Sequence, residues 1–130
     1  MDLERLVSVA AAAREHAYAP YSRFAVGAAL LTKSGKIFKG CNVENVSLRL
    51  TLCAEEVAVG AAVAEGETEF VALVVVADSK RPVLPCGACR QLLAEFSSEV
   101  QVISANNRGQ TETYALSELL PRSNQGILDT

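Results

Sequence analysis

Cys53-Ala54-Glu55 and Pro85-Cys86-Gly87-Ala88-Cys89 hold the residues of this chain that could do chemistry. Three thiolates can bind a zinc ion and leave its fourth position open, which is the arrangement of a catalytic rather than a structural site. An open zinc site activates water, and a carboxylate beside it can take a proton from that water and return it to a leaving group. Glu55, two residues after Cys53, is the candidate carboxylate. Cys86 and Cys89 are three apart and share one helical face. Cys41 is a fourth thiol, and its inclusion would close the site into structural Cys₄ zinc. Such sites usually pair two C-x₂-C motifs, and this chain has one. A redox role for Cys86 and Cys89 would need a surrounding thioredoxin-like βαβ pattern, which is missing. Cys41 therefore reads as a small thiol at a strand end, and His16, the single histidine, as a helix-end residue.

Both clusters need elements to carry them. Leu3, Leu6, Val7 and Ala10 recur at helical spacing, which predicts a helix over 2–16. Short strands follow at 25–32 and 36–41, with Lys33-Ser34-Gly35 as the hairpin turn. A polar connection over 42–52 leads to an Ala- and Val-rich helix over 53–64, ended by Gly66. The β-branched run 70–77 is a strand covered on both faces. Pro85 precedes a helix over 86–96; strands at 100–104 and 110–114 and a short helix at 116–120 complete the order. This order predicts a single α/β domain over residues 1–130, a three-layer α/β/α sandwich with a mixed five-stranded sheet.

Composition narrows the partners. The 130 residues are 50% hydrophobic and carry a formal net charge of −3, with no basic stripe to follow a nucleic-acid backbone. The expected ligand is a small molecule, with no long nucleic acid. The N-terminus lacks a cationic start leading into an apolar core, and no apolar run reaches bilayer length. The protein is thus expected to be cytoplasmic and free of membrane.

Several further motifs accompany the cysteine clusters. Tyr18-Ala19-Pro20-Tyr21-Ser22, Phe24, Val26-Gly27-Ala28-Ala29-Leu30, Gly40-Cys41-Asn42-Val43-Glu44-Asn45, the segment 85–91 and Glu118-Leu119-Leu120-Pro121 stand in one order along nearly the whole chain. In these motifs the sequence resembles the small homotetrameric cytidine deaminases. The resemblance implies zinc, one ion per chain, on Cys53, Cys86 and Cys89, with Glu55 as the proton shuttle that also holds the base at N3. It implies that the Ala54 backbone meets the base carbonyl, that Asn42 and Glu44 grip the ribose 3′-hydroxyl, and that Phe24 walls the nucleoside. Without the resemblance, Asn42 and Glu44 would read as loop caps and Phe24 as a core residue. The implied activity is hydrolytic deamination of cytidine and deoxycytidine in pyrimidine salvage, by a homotetramer. The alternative is a deaminase of a cytosine nucleoside antibiotic such as blasticidin S.

The sequence departs from this family at positions expected near the pocket. Glu56 stands where an Arg often donates to the thiolates; it must turn away or be offset, with Arg90 and Arg49 as candidate cations. Leu48 and Val46 replace an aromatic and an alanine, and the tail carries Gln125 and Ile127 where a phenylalanine is expected. Loss of aromatic walls predicts a pocket more tolerant of N4-substituted cytidines.

Overall fold

The computed structural model describes residues 1–123. Its elements are α1 (Leu3–Arg14), β1 (Val26–Thr32), β2 (Ile37–Cys41), α2 (Ala54–Ala64), β3 (Phe70–Ala77), α3 (Gly87–Ala94), β4 (Gln101–Asn106), β5 (Thr111–Ala115) and α4 (Leu116–Leu119). One 3₁₀ turn, Leu48–Leu50, lies in the connection before α2. The five strands form one mixed sheet in the order β2-β1-β3-β4-β5. Only the β3–β4 pair is parallel; the other three pairs are antiparallel. A parallel pair needs a crossover, and α3 supplies it.

The two faces of the sheet bury different helices. Leu6 and Ala10 of α1 pack on Ala29, Ala72, Val74, Val76, Ile103 and Ala105. On the opposite face Ala54, Ala58, Val59 and Ala62 of α2, with Leu93 of α3 and Leu116 of α4, cover Ala28, Leu30, Leu73, Val75 and Val102. Alternate residues of β3 therefore serve opposite layers, which is why its sequence is apolar without a break. The three-layer sandwich and the mixed sheet expected from the sequence are both present. The expected strand at 100–104 runs on to Asn106. Its end is fixed by the Asn106 side chain, whose Oδ1 accepts from the Arg108 and Gln110 N–H groups at 3.0 Å each.

Two glycines let the helices lie against the strands at backbone distance. A Cβ at Gly27 would fall 1.9 Å from the Ala10 carbonyl oxygen of α1, and one at Gly40 would fall 2.3 Å from the Ala54 oxygen and 2.6 Å from the Ala58 nitrogen of α2. The Gly40 contact sets the height of the first turn of α2, and with it Cys53, Ala54 and Glu55. Gly40→Ala must push that turn off the sheet, because the atoms it meets are backbone. The expected cost is about 1–3 kcal/mol, as for other overpacked cores, together with weakened zinc retention. Denaturant melts and metal analysis check this; a variant that melts like the parent and holds its metal would show that the seam has slack.

Candidate active site

The three cysteines converge although they come from two distant stretches of chain. Cys53 is the N-cap of α2 and Cys86 the N-cap of α3, each with extended backbone, and Cys89 lies in the first turn of α3. Their sulfur atoms all lie within 4.8 Å of one another. A Zn–S bond is about 2.3 Å, so tetrahedral bonding needs sulfurs about 3.8 Å apart, which side-chain shifts of about 1 Å or less bring about. Both helices point their N-termini at this place, and the positive ends of their dipoles favour thiolate. A hydrogen bond between Cys53 and Cys89 lowers the pKa of the first thiol and, with burial and neighbouring negative charge, raises that of the second. Such a pair gives up its shared proton when a cation arrives. The donor set and spacing fit zinc. Cys41, at the end of β2, is outside the cluster, so the closed Cys₄ arrangement is not formed.

Glu55 is 6% exposed. Burial pushes its carboxyl pKa up, and hydrogen bonds from its own backbone N–H and from Cys89 pull partly the other way. Beside it opens a cavity of about 230 Å³, lined by Phe24, Asn42, Ala54, Glu55, Cys53 and Cys86 together with apolar side chains. Ala54 is the first residue of α2, where backbone N–H groups have no intrahelical acceptor.

Glu56 turns away from the thiols. Its Oε1 accepts from the Cys53 backbone N–H at 2.9 Å, closing a capping box at the head of α2. The acid expected to need a compensating cation is instead used by the backbone of a ligand residue. Arg90 does not pair with it: its Nε donates to the Pro85 carbonyl at 2.8 Å and its Nη1 to the Leu119 carbonyl at 2.9 Å. Arg90 therefore pins the loop that delivers Cys86 to the end of α4.

Asn42 lines the cavity, Glu44 follows two residues later, and both hold the loop before β1. Asn42 is 9% exposed. It accepts from the Val26 N–H at 2.9 Å and donates to the Phe24 carbonyl at 2.8 Å. Glu44 accepts from the Tyr21 N–H at 2.9 Å, the Ser22 N–H at 3.1 Å and the Ser22 hydroxyl. The Ser22 hydroxyl bond lowers the Glu44 pKa, with help from the two backbone donors. Val46 and Leu48 are 79% and 80% exposed and stand off the cavity of a single chain. Gln125 and Ile127 lie outside the described residues.

Sequence reasoning passed over Val83 and Leu84, which line the cavity. An apolar pair just before Pro85-Cys86 in an otherwise polar loop was the available signal. It also gave no role to Ser22, although the motif Tyr18–Ser22 was part of the resemblance.

Similarity to known proteins follows the same residues. The chain is 52% identical over 122 residues to a cytidine deaminase of Halalkalibacterium halodurans, covering 93% of this chain and 92% of that protein. It is 49% identical over 122 residues to one of Sporosarcina psychrophila, covering 93% and 90%. The fold superposes on the crystal structure of cytidine deaminase from Burkholderia pseudomallei with a TM-score of 0.91 at 46% identity, covering 94% of this chain and 98% of that one. Residues 1–105 match the family described as the cytidine and deoxycytidylate deaminase zinc-binding region. With three sulfurs at zinc-binding spacing and a buried glutamate beside them, this chain belongs to that family of zinc-dependent deaminases.

Proposed function

We propose that this protein deaminates cytidine and deoxycytidine by hydrolysis, giving uridine or deoxyuridine and ammonia, as pyrimidine salvage requires, in the cytoplasm and as a homotetramer. The observation that carries this reading is Glu55, buried beside three convergent sulfurs at the edge of a cavity of about 230 Å³. Cys53, Cys86 and Cys89 would hold the zinc, which when bound would supply Lewis-acid activation of water. Glu55 takes a proton from the attacking water and delivers it to ring N3, then moves a proton to the departing amine. Across the reaction the C4–N bond breaks, a C4 carbonyl forms, and the protons of water end on ammonia and the ring. Phe24 walls the base, and the Ala54 N–H meets its carbonyl oxygen.

Asn42 and Glu44 take the sugar. The Asn42 amide keeps a second N–H beyond the one given to Phe24, and a carboxylate has about four acceptor positions, of which Glu44 uses three in its loop. Among the described residues no Lys or Arg lines the cavity. A phosphate would find no cation there, which favours a nucleoside over a nucleotide.

Exposed apolar surface supports self-association, and four copies is the number the resemblance implies. Val46, Leu48, Leu50 and Leu52 are all exposed along one short connection, and Leu52 is also part of the cavity wall. On α2, Gly60 and Val63 face outward although the helix is apolar nearly all round. Apolar surface gathered in this way marks an interface.

Three measurements test the reading. An ultraviolet assay on cytidine, deoxycytidine, an N4-substituted cytidine and blasticidin S should show the plain nucleosides turned over fastest; turnover confined to the antibiotic would replace the substrate. Metal analysis should find about one zinc per chain, and Glu55→Gln should keep that zinc while losing roughly 10²- to 10⁴-fold in kcat. Wild-type-like turnover by the Gln variant removes Glu55 from the mechanism. Light scattering at micromolar concentration should give a tetramer, and a monomer there refutes the assembly.

A further inference from the structure

We infer that Ser22 is a positioning residue that joins the sugar end of the site to the aromatic wall, so that Glu44 and Phe24 act as one unit. The inference rests on the nucleoside reading above. The Ser22 hydroxyl does two things at once. It donates to Glu44 Oε2, and it accepts from the Phe24 backbone N–H at 3.0 Å. The other side of the Phe24 peptide is held by Asn42, whose Nδ2 donates to the Phe24 carbonyl at 2.8 Å. Both members of the Asn42–Glu44 pair thus end on the residue that walls the base, one directly and one through Ser22.

Two further observations show that this connection is built rather than incidental. Arg23, between Ser22 and Phe24, has φ of 58°, a left-handed conformation that costs energy for a side chain of its size. Such a conformation persists only where surrounding contacts hold it; here the Arg23 N–H donates to the Ala19 carbonyl at 3.0 Å, and the bonds of Ser22 and Phe24 hold the residues on either side. The strands of the rim are also zipped together. Tyr18 N–H donates to the Asn42 carbonyl at 2.9 Å, and Glu44 N–H donates to the Tyr18 carbonyl at 2.8 Å. A sugar hydroxyl that draws on Glu44 therefore pulls on the loop carrying Phe24.

The consequence is testable because a residue serving the sugar alone would behave differently. If Glu44 and its Ser22 partner recognised only the 3′-hydroxyl, a nucleoside lacking that hydroxyl would be indifferent to Ser22. If Ser22 also fixes the aromatic wall, both nucleosides lose affinity when its hydroxyl goes. The experiment compares Ser22→Ala, Ser22→Thr and the parent protein on cytidine and on 2′,3′-dideoxycytidine, the latter measured as substrate or as competitive inhibitor of cytidine deamination. Parent turnover of cytidine, measured first, tests the deaminase reading by itself. The Ala variant should raise KM for cytidine about five- to tenfold, the net effect of losing one ordinary hydrogen bond. It should weaken the dideoxy compound by a similar factor and leave kcat within about twofold, the pattern of lost binding rather than lost chemistry. The Thr variant, which keeps the hydroxyl, should restore both constants. An unchanged KM in Ser22→Ala, a loss confined to cytidine, or equal loss in the Ala and Thr variants would each overturn the bridge.

Discussion

Everything at this site depends on two helix N-termini meeting at one point. Cys53 caps α2 and Cys86 caps α3, and an N-cap residue lies where the unpaired N–H groups and the positive dipole end are concentrated. Two such ends side by side favour negative charge, and three thiolates provide it. The meeting requires α2 to rest on β2 at backbone distance, which Gly40 permits, and α3 to be drawn toward α4, which Arg90 does through the Pro85 and Leu119 carbonyls. The packing of the far layer and the chemistry of the sulfurs are thus one constraint.

The balance of charge around the metal follows from the same geometry. Three thiolates and Zn²⁺ carry a net −1, and Glu55 and Glu56 follow directly in the chain. An arginine at position 56 would offset that charge by donating to the sulfurs. Here the carboxylate of Glu56 is taken up by the Cys53 N–H, so the offset falls to backbone dipoles. Hydrogen bonds to ligating atoms draw electron density from them, and a sulfur without a cationic donor stays more basic toward its metal.

Much of this was legible from residue order. The cysteine spacing favoured an open metal site over closed and redox alternatives, and the helices and strands fall within two residues or so of where pattern placed them. Other features were not legible because they depend on what a side chain meets across the fold. Glu56 as a capping residue requires knowing that Cys53 starts the helix. The engagement of Asn42 and Glu44 with the loop before β1 requires the hairpin to bring residues 21–26 against residues 42–44. Their loop-holding role, which is what Asn and Glu would suggest without any resemblance, is present alongside the proposed sugar contact. The 3₁₀ turn at Leu48–Leu50 leaves its leucines exposed, and no local pattern distinguishes that from a buried apolar turn.

The placement of the three sulfurs has a topological consequence. Between residue 53 and residue 86 the chain runs through α2 and the whole of β3, the middle strand of the sheet. An ion held by Cys53 and Cys86 therefore closes a loop of chain around the central strand. The folded chain presents the three sulfurs together and the unfolded chain does not, so the affinity of the folded sulfurs for the ion adds to the stability of the fold. The persistence of the folded chain is then tied to the supply of free metal. Scarcity of metal would shorten the lifetime of the protein itself as well as suspend its chemistry.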